Sequence, residues 1–320
     1  MYSCSKARSS PSRTAATRSW SGRCPAASGA ATALPLNLPY LLILLEPFPG
    51  SGAGTVAFKQ GFAKSAPLTA ARDILEHLDG LLEPARFRDY GPNGLQVPGA
   101  AEVGTVATGV SAHRELFERA IAAGAQLIVV HHGLFWDGDP RALTPAMTTR
   151  LKLLLEADVG LAAYHLPLDA HPEVGNNALI ASGLGCDRHE PGFDLNGQPI
   201  GVVGRFAGEG IPVAELFDRV RTLTAREPLV FEHGPARVRS IGIVSGGAAG
   251  QVEDAVAANL DAFLTGEPAE RVMAIAREGH IHFVAAGHYA TETFGVRRLG
   301  ELLAERFDVE HRFIDVPNPV

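Results

Sequence analysis

Two spacings of apolar residues take turns along most of this chain, one helical and one strand-like. Ile74, Leu75, Leu78, Leu81 and Leu82 recur at helical spacing and predict an amphipathic helix over residues 68–82, ended by Pro84. Residues 103–110 read as a strand. Residues 112–123 read as a helix with Leu116, Phe117, Ala120 and Ile121 inward, closed by Gly124. The run Leu127-Ile128-Val129-Val130 then reads as a buried strand that ends on His131-His132-Gly133. Strand, helix and strand at this spacing imply a right-handed crossover and a parallel pair. Beyond it, residues 145–157 are expected as a helix opened by proline, residues 159–164 as a further apolar strand, and Asn176-Asn177 as part of a helix ending near Gly183 or Gly185.

Composition shifts at residues 187–198, which reads as a linker. The pattern then resumes, with strands over 200–206, 238–244, 262–265, 281–285 and 309–316. Helices are expected over 212–223, 251–259, 269–278 and on to about Phe307. This alternation predicts an α/β fold, and 320 residues suffice for two domains. There is no internal repeat and no coiled-coil heptad. Gly91-Pro92-Asn93-Gly94 is a turn signal. Its simpler reading is a surface turn feeding an edge strand; the other is a loop at the mouth of a site, with Asn93 and Gln96 as polar contacts.

The first part of the chain departs from this pattern. From Met1 to Leu45 it carries five basic residues and no acid, rich in Ser, Ala and Arg. Three readings compete: a transit-type leader, a secretory signal whose basic region is too long, and translated upstream sequence the working protein does not need. A disordered or non-native extension over 1–64 is the favoured expectation. Its apolar run is far short of the about 20 residues of a membrane span. Residues 1–64 hold seven bases and one acid, so a chain of formal charge −7 leaves −13 on the remainder. That balance argues against a general nucleic-acid binder. Three scattered cysteines exclude a disulfide framework and a Cys-type zinc site, and point to a reducing, cytoplasmic setting.

Three predicted strand ends carry residues of the kind that bind metals: His131-His132, His165 to Asp169, and His288 to Glu292. Open α/β sheets collect ligands at the carboxyl ends of strands, and imidazole is the commonest protein ligand for transition metals. A tandem histidine alone is as readily two hydrogen-bonded side chains. His288 and Glu292 stand four apart at the start of a predicted helix, so both can reach one ion, although a helix dipole by itself favours a carboxylate there. Pro167 is expected to break any helix between His165 and Asp169, which leaves His165 to orient Asp169 or a bound water. Adjacent strand residues point to opposite faces, so His131 and His132 are expected to share a site only if the chain turns at Gly133. Trp136 is expected to pack the loop.

Three ring nitrogens and two carboxylates exceed the needs of one catalytic zinc. A carboxylate bridging two ions about 3.5–4 Å apart would account for the number. The donor set suits Zn, Mn, Fe, Co or Ni without choosing among them. The glycine-rich loop 245–250 reads either as a tight turn or as a phosphate cradle. It lacks the Lys-Ser/Thr of a P-loop and the spacing of a dinucleotide fingerprint. No Gly-x-Ser-x-Gly elbow supports a serine hydrolase.

Five motifs occur in a telling order: Gly-Pro-Asn-Gly-Leu-Gln-Val at 91–97, Val-Val-His-His-Gly-Leu-Phe-Trp at 129–136, Tyr-His-Leu-Pro-Leu-Asp at 164–169, Thr-Gly-Glu at 265–267 and Gly-His-Tyr-Ala-Thr-Glu-Thr at 287–293. Together they resemble the GTP cyclohydrolase 1 type 2 homologues, the Nif-three-like dinuclear metal-centre family, from about Pro67 to the C-terminus. The resemblance implies two α/β lobes with mixed or parallel sheets. The first spans 65–190 plus 286–320, with the last helix returning to it, and the second spans 191–285. It implies two divalent ions per chain, with ligands His131, His132, Asp169, His288 and Glu292, and a ring-shaped homohexamer. Longer relatives insert a ferredoxin-like domain that the short connection after Gly185 leaves no room for.

The family name implies opening of the GTP purine ring, an activity not general to the family. Glu267 is the candidate non-ligand carboxylate for proton transfer, set against a plain role as a helix N-terminal acid. Two functions stay open: a metal-dependent hydrolase of a nucleotide or related small molecule, and a metal-handling regulator or scaffold without turnover.

Overall fold

Strand Leu127–His132 is the middle of the first of two main sheets in the computed structural model, which describes residues Leu68–Val320. The expectations for residues 1–64 lie outside the described residues. Thr105–Ser111 and Gly160–Ala163 flank the strand in parallel. Glu310–Phe313 adds a further parallel strand and Gly94–Val97 closes the other edge antiparallel. Parallel strands joined by helices are covered on both faces, and period-two alternation divides the strand accordingly. Leu127 and Val129 pack with Ile74, Leu78 and Tyr164, while Ile128 and Val130 pack with Leu116, Phe117 and Leu154. Helix Thr293–Phe307 returns to this sheet near the end of the chain and sets Val296, Leu299 and Leu303 into the first of these cores. Each such side chain taken fully out of water stabilises the fold by roughly 1.5–3 kcal/mol.

The second sheet runs in the order Leu229–Phe231, His282–Ala285, Ala262–Thr265, Ser240–Ile243, Gln198–Arg205, Arg188–Leu195. Its three middle strands are parallel and the outer ones antiparallel. Here too alternate residues serve two cores: Phe263 and Phe283 pack with Val252 and Val272, Leu264 and Val284 with Leu216 and Val220. The fold is therefore the expected pair of α/β lobes with mixed sheets and a last helix that returns to the first. Among the described residues, no helix is long and apolar enough to cross a membrane.

Three local expectations change. Residues 187–198 are not a linker: Arg188–Leu195 and Gln198–Arg205 form an antiparallel hairpin. Asn196 and Gly197, with φ of 54° and 84°, make the two-residue turn. The polar composition is that of an edge strand with a solvated face. Pro167 does not break the chain's path either. It sits in the first turn of the short helix Leu166–Ala170, where no intrahelical amide is missed. Finally, the chain does not turn at Gly133 to bring the two histidines together. The strand continues through His132, which pairs with Ser111, and the φ of Gly133 is not left-handed. A Cβ at Gly133 would meet Gln96 Nε2 at 2.2 Å, and Gln96 Oε1 accepts the Leu134 amide. The glycine is needed for that close approach.

Candidate metal centre

The carboxyl ends of five parallel strands converge: Leu127–His132 and Gly160–Ala163 from the first sheet, Ser240–Ile243, Ala262–Thr265 and His282–Ala285 from the second. The residues that follow them meet around Glu292, which is 2 % exposed. Glu292 Oε1 lies 3.4 Å from His131 Nε2 and 3.2 Å from His288 Nε2, and Oε2 lies 3.2 Å from His132 Nε2. Asp169 Oδ2 lies 3.5 Å from His131 Nε2. All five residues expected as ligands are thus brought together. The strand end does this without a turn, because each ring is pinned by its far nitrogen to a neighbouring strand end. His131 Nδ1 donates to the Tyr164 carbonyl at 3.0 Å, and His132 Nδ1 bonds Ser111 Oγ at 3.0 Å.

The arrangement fits metal ions. His131 Nε2 and Glu292 Oε2 are buried without a hydrogen-bond partner, which is costly for polar atoms. Donor separations of 3.2–3.5 Å are long for hydrogen bonds. They match the roughly 3.3 Å edge of a tetrahedron with 2.0–2.1 Å bonds. Gly246, with φ of 67°, brings bare backbone against the cluster: a Cβ there would lie 2.3 Å from Glu292 Oε1. The ligating atoms of His132, His288 and Glu292 lie within 4.8 Å of one another, as do those of His131, His132 and His165.

The charges tell the same story. Burial alone would lower the His131 pKa, but the Asp169 and Glu292 carboxylates outweigh it and lift it to about 9. His288 is likewise raised to about 9 against its burial, by Glu292 and Glu267. Burial wins at His132, which is lowered. Burial opposes the charge of Glu292, yet His132 and His131 hold it well below the carboxylate range. Two buried carboxylates thus draw positive charge into the cluster, and protons or divalent ions can supply it.

Four of these donors, His132, Asp169, His288 and Glu292, line a cavity of about 820 Å³, and His131 is fully buried behind them. Its walls mix Tyr90 and Trp136 with apolar Leu195, Ile200 and Val244.

The chain matches the family model described as Duf34/NIF3 (NGG1p interacting factor 3) over residues 69–319. It belongs to this family. A protein of Pseudomonas aeruginosa named GTP cyclohydrolase 1 type 2 homolog is 44% identical over 250 residues, covering 78% of this chain and 98% of the relative. The solved protein ybgI is 38% identical with a TM-score of 0.74, covering 79% of this chain and all of its own. TTHA1606 from Thermus thermophilus is 36% identical with a TM-score of 0.72 and the same coverage.

In this NIF3-family chain the cluster rests on a second layer that sequence reasoning saw only in part. Asp169 Oδ1 accepts from Asn176 Nδ2 at 2.9 Å and from Ser245 Oγ at 2.8 Å, which leaves Oδ2 toward His131. Asn177 ties the Asp169 and Ile200 carbonyls to the Ser245 amide. The Ser245 and Gly246 amides are therefore used inside the protein, and the start of loop 245–250 is a strut. Glu267 is placed behind His288, with Oε1 2.5 Å from Nδ1.

His165 joins the cluster with Nδ1 2.7 Å from Asp89 Oδ1. Asp89 also binds Asn93 Nδ2 and the amides of Tyr90 and Leu166. Burial opposes its charge, but the bonds from His165 and Asn93 hold its pKa below the usual value. Asn93 Oδ1 accepts the His165 amide, so the turn at 91–94 feeds an edge strand and also braces the site. No motif of the sequence singles out Asp89, whose one signal is a carboxylate opening a turn of polar residues.

Proposed function

We propose that this chain is a metal-dependent hydrolase of a small molecule. Two divalent ions would be held by His131, Asp169 and Glu292 on one side and by His132, His288 and Glu292 on the other, with Glu292 shared. The place of the donors carries this reading: His132, Asp169, His288 and Glu292 open onto a cavity of about 820 Å³, whereas a purely structural metal site is closed. A cavity of that size suits a drug-sized ligand. The ions belong among Zn, Mn, Fe, Co and Ni.

When bound, a pair of ions supplies an acidified water and polarises the group under attack. The chain's own residues do the remaining work. Asn176 and Ser245 hold Asp169 to one orientation. Glu267 is a positioning residue that fixes the tautomer of His288. Asp89 grips His165 at Nδ1, so Nε2 faces the cavity and takes up the proton released by an attacking water. We also propose the homohexamer that the family resemblance implies, in the reducing cytoplasmic setting to which the scattered cysteines point.

Metal analysis of the purified protein is the first test and should return two ions per chain. Less than one ion per chain at full loading removes the dinuclear site. Turnover of a nucleotide and phosphoester panel, headed by GTP because relatives bear that name, should require metal. It should fall by at least about 100-fold in Asp169→Ala and Glu292→Ala proteins that keep their circular dichroism. A metal-loaded protein that turns over nothing on the panel leaves the regulator or scaffold reading in its place.

A further inference from the structure

Among the described residues, Arg150 is the one lysine or arginine on the wall of the metal cavity. It stands on helix Pro145–Glu156, whose Met147, Leu151 and Leu154 pack into the core of the first lobe. Arg150 falls on that inward stripe, where an apolar side chain is expected. Nearby helices pair their arginines at helical spacing, as in Arg114–Glu118 and Arg298–Glu301. Arg150 has no acid three or four residues away: those positions hold Ala146, Met147, Leu153 and Leu154. Among the described residues no carboxylate lies within ion-pair distance of it, and no hydrogen bond uses its guanidinium. It is nonetheless half-buried. Its charge reaches into the cavity wall, where burial and then Arg150 hold the His113 ring below its usual pKa against Glu115.

A guanidinium offers five donors in a fixed fork. Leaving them unmatched in a half-buried place is unfavourable, and the pattern makes sense when the partner arrives with a ligand. The same cavity offers apolar wall at Leu195, Ile200 and Val244 and flat aromatic surface at Trp136. Trp136 and Arg150 also both line the neighbouring cavity. A ligand with an apolar or planar body and one oxyanion at its far end fills these requirements.

We propose that Arg150 anchors an oxyanion of the substrate, a phosphate or a carboxylate remote from the reacting group, and so selects which small molecules the site accepts. The proposal rests on the reading of the cavity as a substrate site. Local rules of helix patterning are broken at Arg150 in favour of this contact.

The test titrates metal-loaded protein with inorganic pyrophosphate and with malonate, at fixed ionic strength, by calorimetry. Wild type, Arg150→Met and Arg150→Lys are compared. The pyrophosphate Kd should rise about tenfold or more in Arg150→Met and recover in part in Arg150→Lys, with metal content unchanged in both. In wild type, pyrophosphate should also slow modification of Arg150 by phenylglyoxal, read by peptide mass spectrometry. Dependence on Arg150 seen with malonate alone identifies a carboxylate as the group held. Equal binding of both anions by wild type and Arg150→Met, with Arg150 unprotected, overturns the proposal and leaves any binding to the ions. The hydrolase reading fails separately: Arg150-dependent binding without turnover of any substrate removes the hydrolase and keeps the anchor.

Discussion

Asp89 gathers four donors at the edge of the cluster, from His165, Asn93 and the amides of Tyr90 and Leu166. Replacing it by asparagine turns an acceptor toward His165 into a donor and leaves buried groups unmatched. Asp89→Asn should cost about 1–3 kcal/mol of stability and about 10–100-fold in any metal-dependent turnover, with metal content unchanged. The sign of its pH dependence follows from its depressed pKa. An aspartate held below 3.8 contributes stability above that value and loses it as pH falls through the folded pKa. Urea unfolding of wild type and variant should therefore differ fully at pH 7 and converge in acid. A gap that widens in acid would contradict the assignment. The histidines of the cluster were legible in the sequence because an apolar run stops on them. Asp89, Ser111 and Arg150 were not, because only folding brings them to the strand end and no local spacing marks them.

The hairpin Arg188–Arg205 shows the same limit for whole elements. Central strands such as Leu127–His132 are buried on both faces and read as unbroken apolar runs. An edge strand with one solvated face reads as polar chain, and Arg188–Leu195 buries only Phe193 outright. The signal was there in Asn196-Gly197, the residue pair that favours a two-residue turn. Pro167 is ambiguous in the sequence for a related reason, since proline opposes helix interiors and suits first turns. The hairpin matters to the site because Leu195 and Ile200 line the cavity. Gly197→Ala places a Cβ at φ of 84°, which should cost roughly 1–2 kcal/mol. Calorimetry should show a melting temperature lower by about 2–8 °C, with metal content unchanged. An unaltered melting temperature would mean that the turn is not held as described.

At the scale of the molecule, everything that builds the site lies within one stretch of chain. The donors run from His131 to Glu292, and the second layer reaches back only to Asp89. Tandem Asn176 and Asn177, both fully buried, join Asp169 to the last helix through the Gly295 amide and to the second sheet through Ile200 and Ser245. The family match begins at residue 69, and 250 matched residues account for 98% of the Pseudomonas relative. The first described pairing, Thr69–Ala70 with Glu102–Val103, begins at the same place. A protein starting at residue 65 keeps that pairing and every contact of the cluster. It should melt at the temperature of the full chain and bind the same number of ions, despite the loss of seven bases and one acid. A start after Ala70 removes the pairing and the bond from the Thr69 hydroxyl to the Phe307 carbonyl. That shorter protein should melt lower while its metal content holds, because helix Ala71–Leu82 packs on the first sheet's core and touches no donor. If the start at residue 65 already loses soluble protein or metal, residues 1–64 contribute to the folded molecule after all.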